Sequence, residues 1–219
     1  LEESSSQKAY DANYFLGMIY YFGIEKQKDK KYNLGLDKNT DYGFQLLESA
    51  SKNNVNEASR FLAREFKNIN NSKKYLHYLH KAADNTDGNA QFQLAREYAI
   101  GNHTNKNLDE AEKYAYFSAS KSIPGAKTQL AMIIQEKLNQ GAFSGEGLED
   151  IKRMEEENII KYLKGAIEEN DSAAMHRMGL FYLEGSFVQQ DYNKAINFFE
   201  KSAFQFGNEE SYHSLGIIY

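Results

Sequence analysis

Small residues recur in this chain at a helical spacing, and that recurrence limits the fold more than any other feature. Ala174, Met178, Gly179 and Tyr182 fall at 0, +4, +5 and +8, which at 3.6 residues per turn is one stripe of a helix. The same order of small, apolar, small and aromatic returns at Ala12/Leu16/Gly17/Tyr20, Ala58/Leu62/Ala63/Phe66 and Ala90/Leu94/Ala95/Tyr98. It returns again at Ala126/Leu130/Ala131/Ile134, with an aliphatic last member, and at Ser211/Leu215/Gly216/Tyr219. The starts are 46, 32, 36, 48 and 37 residues apart, a helical-repeat period with two long exceptions. Small residues within such a stripe let two helix backbones approach closely, and the aromatics fill the space beside them.

A second helix follows each of the first five stripes. Ala195, Phe198, Phe199, Ser202 and Ala203 recur at helical spacing, and a small pair closes each second helix: Ser49-Ala50, Ala82-Ala83, Ser118-Ala119, Gly165-Ala166 and Ser202-Ala203. Antiparallel pairs of helix A and helix B are therefore expected in repeats at about 8–54, 55–86, 87–122, 123–170 and 171–206, with 207–219 as helix A of a sixth. Gly23, Gly101 and Gly185 stand three residues after the aromatic, where a helix ends in a residue able to reach positive φ. Asp171 and Asn208 suit N-caps, and Pro124, the single proline, stands near the start of the fourth helix A. Two A-to-B connections are enlarged, a Lys-rich one at 24–38 and a Gly-rich one at 139–147. Leu148, Ile151 and Met154 keep helical spacing and predict an early start to the fourth helix B.

Bulk properties exclude several classes. A net charge of −5 and a pI near 5.6 argue against a nucleic-acid binder, which gains affinity from a basic face. With no cysteine there is no disulfide, thiolate metal site or cysteine nucleophile. No apolar run approaches the ~20 residues that span a bilayer, and no signal peptide opens the chain. Leu1 is not an initiator Met and Tyr219 stops within a pattern, so the chain reads as an excerpt whose uncapped end favours self-association.

Ala-x-x-x-Met-Gly-x-x-Tyr-x-x-Gly at 174–185, followed by Asp-x-x-Lys-Ala-x-x-Phe-Phe-x-Lys-Ser-Ala at 191–203, resembles the Sel1-like repeat, a relative of the tetratricopeptide repeat. Residues 89–119 are the other clear copy, with Asn107 and Glu110 where the pattern has Asp and Lys, while the second repeat is weak and lacks its loop glycine. The resemblance implies an all-α, right-handed α/α solenoid of antiparallel helix pairs that acts as an adaptor or scaffold. It favours an extracytoplasmic setting, in a bacterial envelope, secreted, or in a eukaryotic lumen, and leaves the cytoplasm open. One branch of the family crosslinks its helices with cysteines, which this chain lacks.

Chemistry is sparse. Ser49-x-x-Lys52 and Ser118-x-x-Lys121 match the serine–lysine pair of penicillin-recognising enzymes, but both fall on the small pair that closes a helix B, and the accompanying motifs are missing. His77 and His80 stand at i, i+3 without an evident third ligand. No catalytic, cofactor-binding or metal-ligating set is expected. Four of the five arginines, Arg60, Arg64, Arg96 and Arg177, lie in A helices away from the packing stripe, at +2, +6, +6 and +3. In tetratricopeptide-like solenoids the A helices line the concave surface, so these side chains, with Tyr14, Phe92, Gln93 and His176, define a candidate groove for another protein or peptide, an acidic one included. Arginine suits this task through bidentate bonds to carboxylates and an apolar stem. The plainer alternative is that Glu65, Glu97 and adjoining repeats neutralise the arginines. Two other functional classes stay open, a regulatory or targeting region of an enzyme whose catalytic part lies elsewhere, and a β-lactam-binding or hydrolytic protein acting through the Ser-x-x-Lys sites.

Overall fold

The computed structural model describes residues 2–23, 38–145 and 147–219, with side chains from residue 8 onward. The helices are α1 (Glu2–Phe22), α2 (Thr40–Lys52), α3 (Asn56–Asn68), α4 (Ser72–Asp84), α5 (Gly88–Ile100), α6 (Leu108–Ser120), α7 (Ala126–Asn139), α8 (Glu149–Glu168), α9 (Ser172–Glu184), α10 (Tyr192–Glu200) and α11 (Glu209–Ile218). A π-helical turn, Lys201–Gln205, continues α10. No strand occurs among the described residues. The six small-first stripes lie in the odd-numbered helices, here called A, and the small pairs close the even-numbered B helices, the fifth within the π turn. Nearly all of the 24–38 connection, residues 24–37, falls outside the described residues.

The chain divides within α5 into two compact units, residues 1–94 with 102–105 and residues 95–101 with 106–219. In the first unit α1 and α2 run antiparallel at backbone contact. A Cβ built on Gly43 would meet the Tyr21 nitrogen at 2.7 Å and the Gly17 carbonyl oxygen at 2.8 Å. Leu47, Leu62, Tyr75, Leu79 and Leu94 are fully buried in this unit. Ala12 is exposed and Leu16 half-buried, because no described helix covers that side of α1.

In the second unit Leu130, Ile159, Leu163, Met175, Met178 and Phe199 form the buried core. Gly179 of α9 is the seat of the Phe199 ring from α10, which would lie 2.6 Å from a Cβ built there. Ser202 Oγ donates to the Ser172 carbonyl at 2.8 Å, fixing the far end of the same antiparallel pair. The early start of α8 at Glu149 agrees with the spacing of Leu148, Ile151 and Met154, although Ile151 and Met154 are exposed.

Four of the five A–B pairs share one local device. The N-cap of helix B, Asn39, Asn71, Asn107 or Asp191, donates its backbone N–H at 2.9 Å to the carbonyl of the +8 aromatic, Tyr20, Phe66, Tyr98 or Tyr182. Each cap side chain then accepts from an amide of the first turn, satisfying donors the helix itself leaves unpaired. The +8 rings meet a helix-B ring: Phe66 stacks on Tyr78, Tyr98 on Tyr114 and Tyr182 on Phe198, while Tyr20 meets Tyr42 edge-on. The fourth pair is the exception, its α8 being preceded by Leu148, which has no capping side chain.

Gly23, Gly101 and Gly185 end α1, α5 and α9 at φ of 77°, 79° and 75°. The B-to-A turns reach the left-handed region mostly without glycine, at Asn54, Thr86, Ser122 and Asn170. Each pairs a bond from the following residue to the last turn with its own shorter one, as in Ile123 N–H to the Ser118 carbonyl and Ser122 N–H to the Ala119 carbonyl. Pro124 lies outside α7 and opens a turn closed by Ala126 N–H to the Ile123 carbonyl, with Gly125 at φ 79° supplying the positive dihedral the turn demands. Ser122 is exposed at φ 52°, a conformation that costs an L-residue about 1 kcal/mol. Ser122→Gly is therefore expected to raise stability by about that amount, offset in part by the entropy of glycine. An unchanged or lowered midpoint in chemical denaturation would contradict it.

Candidate functional site

The eight groove candidates sit at three positions of the repeat frame, and the structure treats those positions differently. Tyr14, Arg60, Phe92 and His176 occupy +2. Arg60 Nε lies 3.1 Å from Asp87 Oδ2, a charge contact without the alignment of a hydrogen bond, while Asp87 Oδ1 accepts from Ala90 N–H at 2.8 Å at the start of α5. Thr128, at +2 of α7, donates to Asp171 Oδ2 at 2.6 Å, and Asp171 caps α9. His176 Nδ1 shares a hydrogen bond of 3.0 Å with Ser211 Oγ in the first turn of α11, and its Nε2 lies 3.7 Å from Glu210. In these three repeats the +2 side chain thus grips the N-terminal turn of the next helix A. Thr128 escapes a reading of the sequence, since Arg, Thr and His share a position but no chemical class. Tyr14 is half-buried beside Phe15, and Phe92 is half-buried in α5.

The +3 and +6 positions lie away from the packing stripe. Arg64 is 61% exposed, its Nε 3.5 Å from Glu65 and its guanidinium 5.0 Å over the Phe61 ring. Phe61 meets Tyr21 and Phe22 edge-on, and Tyr21 donates to Glu65 at 2.7 Å, a bond that raises the phenol above its ordinary pKa. Arg64 therefore stands in the first unit on an aromatic platform with a carboxylate beside it. Gln93 and Arg96 are exposed on α5, and Arg177 is half-buried on α9. Neither Arg96 nor Arg177 forms an ion pair with any described residue, whereas Arg60, Arg64 and Arg153 each do. Glu97, the expected neutraliser of Arg96, is buried.

His176 is 8% exposed, and burial pushes its imidazole below the ordinary histidine range; Glu210 opposes that shift and Arg177 reinforces it. The fold holds the neutral ring, whereas the unfolded chain takes a proton below pH ~6.5. The contribution of this junction is complete above that pH and is lost as the pH falls toward and through the lowered value. Wild-type stability should fall more steeply between pH 7.5 and 5.5 than that of His176→Gln, as thermal unfolding in matched buffers would show. Parallel pH profiles would refute this.

The remaining candidates show no convergent chemistry. Ser118 is fully buried and donates to the Ala115 carbonyl at 2.9 Å, while Lys121 is exposed at the end of α6. His77 and His80 line a shallow pocket of α4 with Asn54, Lys81, Asp84 and Asn85. No group of three or more His, Asp or Glu side chains among the described residues is placed to hold a metal, and no helix there is long and apolar enough to cross a membrane.

Consecutive antiparallel helix pairs, with one stripe packed and, in three repeats, a +2 side chain gripping the next helix A, define an all-α protein of the α-solenoid class. The chain belongs to the Sel1 repeat family, whose Sel1 repeat matches residues 11–55, 76–87, 88–122 and 172–203. The match passes over most of the weak second repeat and over residues 123–171, where the fourth pair lacks the helix-B cap. The fold is similar to that of a Sel1 repeat protein from Oxalobacter formigenes, with TM-score 0.65 and 20% identity, covering 96% of this chain and 78% of that one. It is also similar to a protective antigen of uropathogenic Escherichia coli strains displaying an SLR fold, with TM-score 0.69 and 18% identity, covering 99% of this chain and 42% of that one. This chain accordingly spans less than half of the antigen's length. No curated protein matches it. Sel1 repeat proteins in general mediate protein–protein interactions.

Proposed function

We propose that this chain is a non-catalytic adaptor or scaffold that holds a partner protein on the face its A helices turn away from their B helices. The observation behind this reading is that packing leaves large side chains of that face in solvent. In the first unit these are Phe15 at 63%, Phe22 at 57% and Arg64 at 61% exposure; in the second they are Met132 at 44% and Ile217 at 73%, with Arg96 also exposed. The repeats at about 8–54, 55–86, 87–122, 123–170 and 171–206 are the modules that present it, with 207–219 as the start of a sixth. Each module buries its stripe against neighbours, so the outward positions are free to be specific. The columns differ in role: the exposed members of +3 and +6 meet the partner, while Arg60 and His176 set the junctions beneath it.

A photo-crosslinking residue placed singly at Gln93, Met132, Lys73 or Lys161 tests this in the protein's native source. Gln93 and Met132 lie on A helices, Lys73 and Lys161 on B helices. Adducts at Gln93, at Met132 or at both are expected, and adducts confined to Lys73 and Lys161 would reject the A-helix face.

A further inference from the structure

The residue types at +3 and +6 say what kind of partner fits. Across the six A helices these twelve positions hold phenylalanine, methionine, leucine, isoleucine, glutamine, serine and three of the chain's five arginines; of these, Phe61 is buried and Leu180 packs on the core, and the partner is read from the others. None holds lysine, aspartate or glutamate, in a chain with 26 basic and 31 acidic residues. A merely solvated face mixes charges of both signs and uses lysine freely. Interface cores instead favour aromatics, methionine and arginine and are depleted in lysine and carboxylates. The bordering +7 carboxylates are already occupied or withdrawn, Glu65 by Tyr21 and Arg64, and Glu97 by burial.

Within the second unit the pattern becomes specific. Arg96 and Arg177 have no ion-pair partner among the described residues, and Met132, on the A helix between theirs in chain order, is 44% exposed. A guanidinium with no ion-pair partner among the described residues, on a face that also exposes a methionine, is complementary to a segment carrying both an acid and a large apolar side chain, since the arginine stem adds contact area while its fork takes two oxygens. Resting on the adaptor reading, we infer that the A-helix face of the second unit docks an acidic and apolar peptide segment. Its Asp or Glu side chains are received by Arg96 and Arg177, and an aliphatic or aromatic residue lies on Met132. Lysine at either position would keep the charge and lose the bidentate geometry.

The test is selection from a random 15-residue peptide library displayed on phage, run against the whole chain. Enriched peptides are expected to combine Asp or Glu with Leu, Ile, Phe or Trp. Their affinity should fall at least tenfold in the Arg96→Gln/Arg177→Gln double variant, and more at low than at high salt. Lys161→Gln/Lys164→Gln, a charge-matched change on the exposed side of α8, should leave affinity unchanged, and circular dichroism with melting temperature should show both variants folded. Apolar peptides without acids, affinity untouched by the arginine double variant, or no enrichment at all would each overturn the proposal. Acid-free peptides that crosslink at Met132 would overturn it while keeping the adaptor reading. Peptides that crosslink only to B helices would overturn both.

Discussion

Replacing Gly43 by alanine is expected to destabilise the first unit by about 2 kcal/mol, with α1 released first. The three atoms nearest a Cβ at this position, Tyr21 N, Gly17 O and Tyr21 Cα, lie at 2.7, 2.8 and 3.0 Å and are all backbone. No rotamer change relieves such an overlap, so the helices must separate, at a cost near the upper end of the 1–3 kcal/mol typical of overpacking, about 3 kcal/mol. Alanine returns about 1 kcal/mol through its higher helix propensity, which leaves the net loss. Separation also draws Tyr21 away from Glu65 and from the Phe44 and Phe61 rings it meets edge-on. Amide exchange should accelerate across α1 before it does so in α3 or α4. Gly216→Ala is the control: nothing lies within 4 Å of its Cβ position, so the same exchange should there be neutral or mildly stabilising. Equal effects at both glycines would show that backbone contact is not what selects glycine at 43.

The second large effect is expected at Phe199. Its ring is fully buried, and truncation to alanine should cost about 4 kcal/mol, the sum of lost transfer energy and an unfilled cavity. Gly179→Ala attacks the same contact from the other side, pushing a methyl group to within 2.6 Å of a ring that has no exposed direction in which to move. Phe199→Leu makes room for that methyl. The double variant Gly179→Ala/Phe199→Leu is therefore expected to lose at least 1 kcal/mol less than its two single changes together, as residues in direct contact commonly do. Strict additivity in urea unfolding would mean that the two side chains do not share one space. His176 faces the same ring at 5.4 Å, so Phe199→Ala should also loosen α11, visible as faster exchange at Ser211 to Leu215.

Helix order, the two stripes and the caps at Asp171 and Asn208 were all legible in the sequence, because each depends on residues close together in the chain. Periodicity names a face without naming what meets it, which is why Phe198 and Phe199 look equivalent until the ring of Phe199 is found on Gly179. The same limit separates Arg60 from Arg96. Both are arginines on A helices, yet one is held by a cap 27 positions later in the chain and the other has no ion pair among the described residues. His176, a groove candidate by its place on the helix, is buried against Ser211, a neighbour that the sequence pattern does not name. The π turn had no signal either, as the sequence of 201–205 continues the helical spacing without interruption.

The bond from each helix-B cap to the +8 carbonyl has a consequence for how such a chain is able to change. Asn39 N–H reaches the Tyr20 carbonyl at the same 2.9 Å as Asn71 N–H reaches Phe66, although far more sequence separates the first two residues. The two helices are thus tied at the foot of the connection by the same bond, whatever number of residues separates the aromatic from the cap. Because the entropy of closing a loop grows only with the logarithm of its length, each doubling costs about 0.6 kcal/mol. Lengthening the connection between Gly23 and Lys38, by a tag, an epitope or a small domain, is therefore expected to cost the α1–α2 pair little stability.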